Sequence, residues 1–100
     1  MRMKSLEEVK EILARSKGEL KERFKVKELG IFGSFVKGRQ KKRSDIDVLV
    51  EFEESYVTFD NYMELKFFLE KILDTRIDLV LKDAIKERIK KLILQETIYV

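Results

Sequence analysis

The stretch that decides the fold is Asp45-Ile46-Asp47-Val48-Leu49-Val50-Glu51-Phe52, because its residue types are those of a half-buried β-strand. Side chains alternate between the two faces of a strand, so Asp45 and Asp47 project from one face while Ile46 and Val48 project from the other. Two neighbouring acids on a mostly buried strand repel each other unless a cation compensates them. The stretch therefore predicts a core strand that carries a site for a positively charged ligand.

A second segment, residues 76–81, has the same character, with one acid inside an apolar run. Asp78 projects from one face of this predicted strand, and Ile77 and Leu79 project from the other. If the two strands are neighbours, the carboxylates of Asp45, Asp47 and Asp78 converge on one patch. Three such acids can hold two Mg²⁺ ions about 3.5–4 Å apart, an arrangement that serves in-line phosphoryl or nucleotidyl transfer.

A turn upstream of these acids has the residues of a phosphate site. Gly33-Ser34 follows a short apolar strand, and glycine lets the backbone come close to a phosphate. The free N–H groups at the start of a following helix attract anions, and the Ser34 hydroxyl can add a hydrogen bond. Lys37, Arg39 and the basic residues 41–43 then supply positive charge around a polyphosphate.

The rest of the chain alternates helical and strand patterns. Ser5-Leu6-Glu7-Glu8 is a capping box that begins an amphipathic helix. The order of elements predicts a single α/β (α+β) domain over residues 1–100, in which helices cover a small mixed sheet. The predicted helices cover residues 6–23, 34–37, 60–73 and a stretch that begins at Asp83, and the predicted strands cover residues 28–32, 45–52, 76–81 and 97–100.

The helix predicted from Asp60 is apolar nearly all round. This pattern fits either burial in the core or an interface with a partner, and we expect burial for most of its large side chains. These side chains are Phe59, Tyr62, Met63, Phe67 and Phe68.

The composition excludes several classes of protein. The 100 residues contain no cysteine and no histidine, which excludes disulfide frameworks, thiol catalysis, serine–histidine nucleophile pairs and nearly all zinc sites. Any metal must bind to oxygen ligands, which favours Mg²⁺ or Mn²⁺. No apolar run approaches the ~20 residues of a membrane span, so we expect a cytoplasmic protein that has no membrane partner.

The net charge of +3 is unevenly distributed along the chain. Residues 25–43 carry seven basic and one acidic side chain, whereas residues 44–81 carry three basic and ten acidic side chains. A surface that binds a nucleic-acid duplex would not place acids beside its basic residues, so direct nucleic-acid binding is the least favoured interpretation. The junction at Ser44-Asp45 instead favours phosphates that meet carboxylate-bound metal.

The motif resembles that of a known superfamily. Gly33-Ser34, ten further residues and Asp45-Ile46-Asp47 match the G-S-x10-D-x-D signature of the nucleotidyltransferases that include DNA polymerase beta. Residues 33–52 closely resemble the minimal nucleotidyltransferases, the MNT or MntA-like family, which also has glycine and serine at the positions of Gly38 and Ser44. The similarity continues through residues 76–80 to residues 97–100, so it covers nearly the whole chain.

This resemblance implies a nucleotidyltransferase fold and a role for each matching residue. Asp45, Asp47 and Asp78 match the catalytic acids, which bind two Mg²⁺ ions, or Mn²⁺ in their place. Lys37 stands where many relatives have arginine, which weakens the expectation of a bidentate phosphate contact there. The residues expected to bind ATP are Gly33, Ser34, Lys37, Arg39 and Ser44.

The resemblance also implies a partner. Proteins of this family are antitoxins paired with a HEPN-domain ribonuclease toxin encoded by a neighbouring gene, and they are thought to transfer AMP from ATP to a tyrosine of that toxin. The residues after Asp47 are all needed to complete the sheet and its helices, so we expect the acceptor surface to come from the partner. Two alternatives stay open: a non-catalytic antitoxin that neutralises the toxin by direct binding, and a small-molecule nucleotidyltransferase that dimerises to build its acceptor pocket.

Overall fold

Four strands form one mixed sheet in the computed structural model, which describes residues 4–37 and 45–100. The sheet has the order β3-β2-β1-β4, where β1 is Val26–Phe32, β2 is Ile46–Phe52, β3 is Ile77–Leu81 and β4 is Ile98–Tyr99. Strand β1 pairs antiparallel with both β2 and β4, whereas β2 and β3 are parallel. A mixed sheet with helices confirms the predicted fold class.

Four α-helices accompany the sheet in the described part of the chain. They are α1 (Leu6–Arg15), α2 (Lys17–Glu22), α3 (Phe59–Leu73) and α4 (Glu87–Glu96). Three single-turn 3₁₀ segments, at Gly33–Phe35, Glu54–Tyr56 and Lys82–Ala84, lie just after β1, β2 and β3 respectively. None of the helices in residues 4–37 and 45–100 is long and apolar enough for a membrane crossing.

The first predicted helix is interrupted. Its start is confirmed, because the Ser5 hydroxyl accepts from the Glu8 backbone N–H and the Glu8 carboxylate accepts from the Ser5 N–H. The prediction of one helix over residues 6–23 is wrong, because the backbone of Ser16 leaves helical geometry at φ −93° and ψ 2°. Serine and glycine are weak helix formers, and Gly18 lies two residues further on.

Two other predicted boundaries need correction. The helix predicted from Asp83 begins at Glu87, because Ile85 turns into an extended conformation that leaves its side chain only 9% exposed. The helix predicted over residues 34–37 is the 3₁₀ turn Gly33–Phe35, continued by one hydrogen bond from the Lys37 N–H to the Gly33 carbonyl. Its expected stop at Gly38 lies outside the described residues.

One buried cluster joins helices α1–α3 to the sheet. The face of β2 that carries Ile46, Val48, Val50 and Phe52 belongs to this cluster, as the alternation predicted. The expected burial of the large side chains of α3 is met in part: Tyr62 and Phe68 pack against the cluster, whereas Phe59 and Phe67 are 76% and 58% exposed. The leucines of the helix supply its buried face instead: Leu65, Leu69 and Leu73.

Candidate active site

Asp47 and Asp78 lie side by side on neighbouring parallel strands. They are register partners in the pairing of β2 with β3, so both side chains project from the same face of the sheet. The two carboxyl groups are close enough to share a hydrogen bond. Asp47 is half-buried, whereas Asp78 is exposed. The structure therefore brings together two of the three acids that the sequence singled out.

The environment of Asp47 opposes its ionisation. Burial, followed by the charge and hydrogen bond of Asp78 and then the charge of Asp45, raises the pKa of Asp47 from 3.8 to about 6. Each of these causes disfavours a negative charge at this position. A cation bound between the carboxylates would reverse that balance, and such an environment is typical of functional acids.

Asp45 immediately precedes β2, and its charge is one of the causes that raise the pKa of Asp47. Its Oδ1 lies 4.0 Å from Nε of Arg76, and the Ile46 N–H donates to the Arg76 carbonyl, which holds the two segments together. Within residues 4–37 and 45–100, no three acidic side chains are arranged so that they could hold a metal ion together. Asp45 thus lies near a guanidinium group while Asp47 and Asp78 face each other.

Gly33, the residue just after β1, lies against the carboxylate of Asp47. Its φ of +80° lies in the left-handed region that side chains disfavour. A β-carbon at this position would overlap Oδ2 of Asp47, so any other residue would require the turn or that carboxylate to move. The register explains this contact, because Phe32, the last residue of β1, is the partner of Asp47 on β2. The predicted glycine turn therefore lies against the predicted acid.

The polar residues expected around the nucleotide are only partly described. Nζ of Lys37 is 2.9 Å from Oε2 of Glu96, so α4 provides a partner for the lysine. Ser34 lies in the turn Gly33–Phe35, and its side chain is outside the described part of the structure. The predicted contacts of Arg39 and Ser44 also fall outside the described residues. These four assignments stay predictions.

Sequence reasoning missed the position of Tyr62. Its hydroxyl donates to the carbonyl of Leu79, the residue that follows Asp78 on β3. Burial, followed by the charge of Asp78, raises the pKa of Tyr62 above its usual value. No spacing rule links residues 17 positions apart on different elements, so the sequence offered only an apolar helix face there.

Comparison with known proteins places this geometry in a family. The family model described as a nucleotidyltransferase domain matches residues 13–100. The protein adenylyltransferase MntA of Thermococcus cleftensis is 47% identical over 100 residues, which is the full length of both chains. The chain belongs to the minimal nucleotidyltransferases. It is therefore an enzyme of the nucleotidyltransferase class, as its motif predicted.

Solved structures show the same fold as this minimal nucleotidyltransferase. A structure described as that of a minimal nucleotidyltransferase has a TM-score of 0.74 at 32% identity and covers 90% of this chain and 93% of its own. The complex of a tri-AMPylated HEPN toxin with an MNT antitoxin from Shewanella oneidensis contains a chain with a TM-score of 0.61 at 19% identity. That match covers 89% of this chain and 69% of the other.

The acids of this nucleotidyltransferase fit a hard divalent cation. Carboxylate oxygens are the donors that Mg²⁺ and Mn²⁺ prefer, and the face of the sheet at Asp47 and Asp78 offers them in pairs. Among the described residues, burial and the charges of Asp78 and Asp45 raise the pKa of Asp47, and a bound cation would offset both effects. Asp47 and Asp78 are the pair that would hold the metal, and Asp45, beside Arg76, stays a predicted third ligand.

Metal binding by this nucleotidyltransferase should weaken in acid. Since Asp47 has a pKa of about 6, a divalent ion must displace a proton from it below that pH. We expect the apparent Mn²⁺ affinity to be constant above pH 7 and to fall by up to about tenfold per pH unit below pH 6. Titration calorimetry between pH 5 and pH 8 measures this, with Asp83→Asn as the control for an exposed acid. An affinity independent of pH over this range would contradict the assignment of Asp47 as a ligand.

Proposed function

We propose that this chain transfers AMP from ATP to a tyrosine hydroxyl of a HEPN-domain ribonuclease toxin, in a Mg²⁺-dependent reaction, and so acts as its antitoxin. The observation that carries the proposal is the register of Asp47 with Asp78, with Gly33 packed against Asp47. Two relatives support the acceptor: one named a protein adenylyltransferase, and one of the same fold in complex with a tri-AMPylated HEPN toxin. We place the reaction in the cytoplasm, where ATP is available.

The reaction exchanges one phosphorus–oxygen bond for another. The acceptor oxygen forms a bond to the α-phosphorus of ATP, the bond to the pyrophosphate oxygen breaks, and pyrophosphate leaves with the electron pair. Bound divalent cations would neutralise charge on the triphosphate and lower the pKa of the acceptor hydroxyl. All other contributions to the reaction come from side chains and backbone groups of this chain.

The side chains have separate tasks in this reaction. Asp78 is exposed beside the more buried Asp47, so it is the carboxylate that an acceptor can reach, and it takes the proton of the attacking hydroxyl. Asp45 and Asp47 would hold the divalent cations that neutralise charge on the triphosphate. The backbone N–H groups of the turn at Gly33 and Ser34, which packs against Asp47, would bind phosphate oxygens.

Labelling of the toxin tests the proposal. The chain is incubated with α-labelled ATP, Mg²⁺ and the HEPN-domain protein encoded in the same genome, and intact-mass spectrometry follows the toxin. We expect one or more AMP-sized increments on a tyrosine, lost in Asp47→Asn and in EDTA. An unlabelled toxin that is still neutralised, by the wild type and by the double variant Asp45→Ala/Asp47→Ala alike, would show an antitoxin that acts by binding alone.

A further inference from the structure

Two cavities lie at the carboxyl end of β3, beside the start of α3. They share Val57 and Leu81 as lining residues, and we name the two cavities together the β3-edge groove. Its two parts have volumes of about 240 Å³ and about 260 Å³. The first part is lined by Val57, Thr58, Phe59, Tyr62 and Leu81, and the second continues along Val50, Glu51, Phe52, Lys82, Asp83 and Ala84.

Large apolar side chains beside the β3-edge groove are exposed to solvent. Tyr56, Val57 and Phe59 are 44%, 53% and 76% exposed, although they lie within four consecutive positions. Scattered apolar residues are normal on a surface, but a contiguous patch at the mouth of a cavity is typical of a binding surface. The groove thus offers anchor points for apolar side chains of a partner.

Acidic side chains outnumber basic ones around the groove: Lys82 in its lining is paired with Glu28 and Glu51, and Lys25 lies over the ring of Tyr56. Residues 44–65 contain no lysine or arginine. Glu53 and Glu54 are exposed just before the apolar patch, and Asp60 and Glu64 are exposed just after it. Charge complementarity across an interface therefore favours an occupant in which lysine or arginine flanks the apolar side chains.

The groove is connected through Tyr62 with the stretch of β3 that carries Asp78, although Leu81 and Asp78 project from opposite faces of the sheet. Tyr62 lines its first part, and the hydroxyl of this tyrosine is bonded to the Leu79 carbonyl, one residue after Asp78. The Glu70 carboxylate accepts from the Ile77 N–H, so side chains of α3 already bind backbone groups at both ends of this stretch of β3. A partner here would be recognised through its side chains and would extend past Tyr62 towards Asp78.

We propose that the β3-edge groove docks the acceptor protein of the transfer reaction, through an apolar segment flanked by basic residues. The acceptor hydroxyl is then presented to Asp78 from the outer edge of β3. This inference rests on the proposed function for the identity of the acceptor, while the docking itself is a binding event that can be measured without ATP.

Removal of the two exposed anchors tests the docking directly. We expect Val57→Ser/Phe59→Ser to weaken the affinity for the HEPN-domain protein of the same genome by about 10- to 100-fold, because exposed apolar anchors at interface centres dominate binding. The control is Phe67→Ser/Leu92→Ser, which removes side chains that are 58% and 64% exposed elsewhere, and its affinity should stay within about twofold of the wild type. Calorimetry without nucleotide measures both, and ATP binding by each variant verifies the fold.

Charge reversal tests the composition of the occupant. Glu53→Lys/Glu54→Lys should slow association by about tenfold at low salt, and the difference should shrink as salt is added. Glu7→Lys/Glu22→Lys makes the same change in net charge on exposed positions of α1 and α2, and should have little effect. Equal effects of the two pairs would mean that only net charge matters, and would overturn the assignment of a basic segment.

A photo-crosslinking residue at position 59 identifies the occupant. The expected product is a crosslink to the HEPN-domain protein, with none from position 67. A crosslink between two copies of this chain, or wild-type affinity in Val57→Ser/Phe59→Ser, would overturn the docking proposal while leaving AMP transfer intact. Conversely, weakened binding in that variant without any AMP transfer by the wild type would refute the proposed function and retain the groove as the docking surface.

Discussion

Replacement of Asp47 with asparagine should abolish nucleotidyl transfer and at the same time stabilise the metal-free protein. The amide keeps the size of the carboxylate but removes the charge that, in the proposed reaction, would hold a cation against the triphosphate. We expect kcat to fall by about 10³-fold or more, the equivalent of about 4 kcal/mol of transition-state stabilisation. Transfer of labelled AMP under single-turnover conditions measures this loss.

The gain in stability of Asp47→Asn follows from the raised pKa. Because Asp47 has a pKa of about 6 in the folded chain against 3.8 ordinarily, the folded state binds more protons than the unfolded state between those pH values. The free energy of unfolding therefore falls as pH rises from about 4 to about 6. Above pH 6 the ionised carboxylate continues to destabilise the folded state. For a half-exposed group we expect asparagine to raise the free energy of unfolding by about 1–2 kcal/mol at pH 7.5.

An exposed acid away from the site provides the control for Asp47→Asn. Glu22→Gln replaces an exposed acid of α2 that lies outside both the candidate site and the β3-edge groove, and should change neither the rate nor the unfolding midpoint appreciably. Urea unfolding in EDTA at pH 5 and pH 7.5 gives the stability data. A less stable Asp47→Asn protein at pH 7.5 would show that hydrogen bonds to the carboxylate outweigh its desolvation, against the balance described above.

Replacement of Gly33 with alanine should damage both the fold and the reaction. A non-glycine residue at φ +80° costs about 1–2 kcal/mol in backbone strain. The new β-carbon also overlaps Oδ2 of Asp47, so either the turn or the carboxylate must move. Together we expect a loss of about 2–4 kcal/mol in unfolding free energy, and a loss of about 10²-fold or more in kcat from the displaced acid.

Gly18 provides a matched control within the same chain. A β-carbon there would meet nothing within 4 Å, and the residue lies in helix α2. Gly18→Ala should therefore raise the unfolding free energy by about 0.5–1 kcal/mol and leave transfer unchanged. Equal stability of the Gly33→Ala and Gly18→Ala proteins would mean that the turn relaxes freely and would contradict the close packing against Asp47.

The sequence predicted the site where periodicity and spacing were strict. Alternation over residues 45–52 placed Asp47 on the face opposite Val48 and Val50, and the structure confirms that arrangement. The glycine turn was predictable because residues 33 and 34 directly follow an apolar strand. These features are local, so neighbouring residues alone determine them.

Other features depend on contacts between distant segments. Arg76 could not be foreseen as the neighbour of Asp45, because the parallel pairing of β2 with β3 creates that contact. The ion pair of Lys37 with Glu96 joins residues 59 positions apart in the same way. The kink at Ser16 was missed for a different reason: the apolar spacing on both sides of it stays helical, while the weak propensity of serine and glycine decides the backbone.

The parallel pairing of β2 with β3 has a consequence for how the enzyme folds. The antiparallel pair of β1 and β2 already brings Gly33 to Asp47, but Asp78 joins them only after the chain has crossed over through α3 and returned beside β2. We expect such long-range pairing to form late in folding, because the conformational entropy of the connecting loop is lost before the strand contacts stabilise the structure. A slip of β3 by one residue would turn Asp78 to the other face. Catalytic activity is therefore a reporter of complete folding: a chain that has formed everything except the β3 register should be compact, helical and inert.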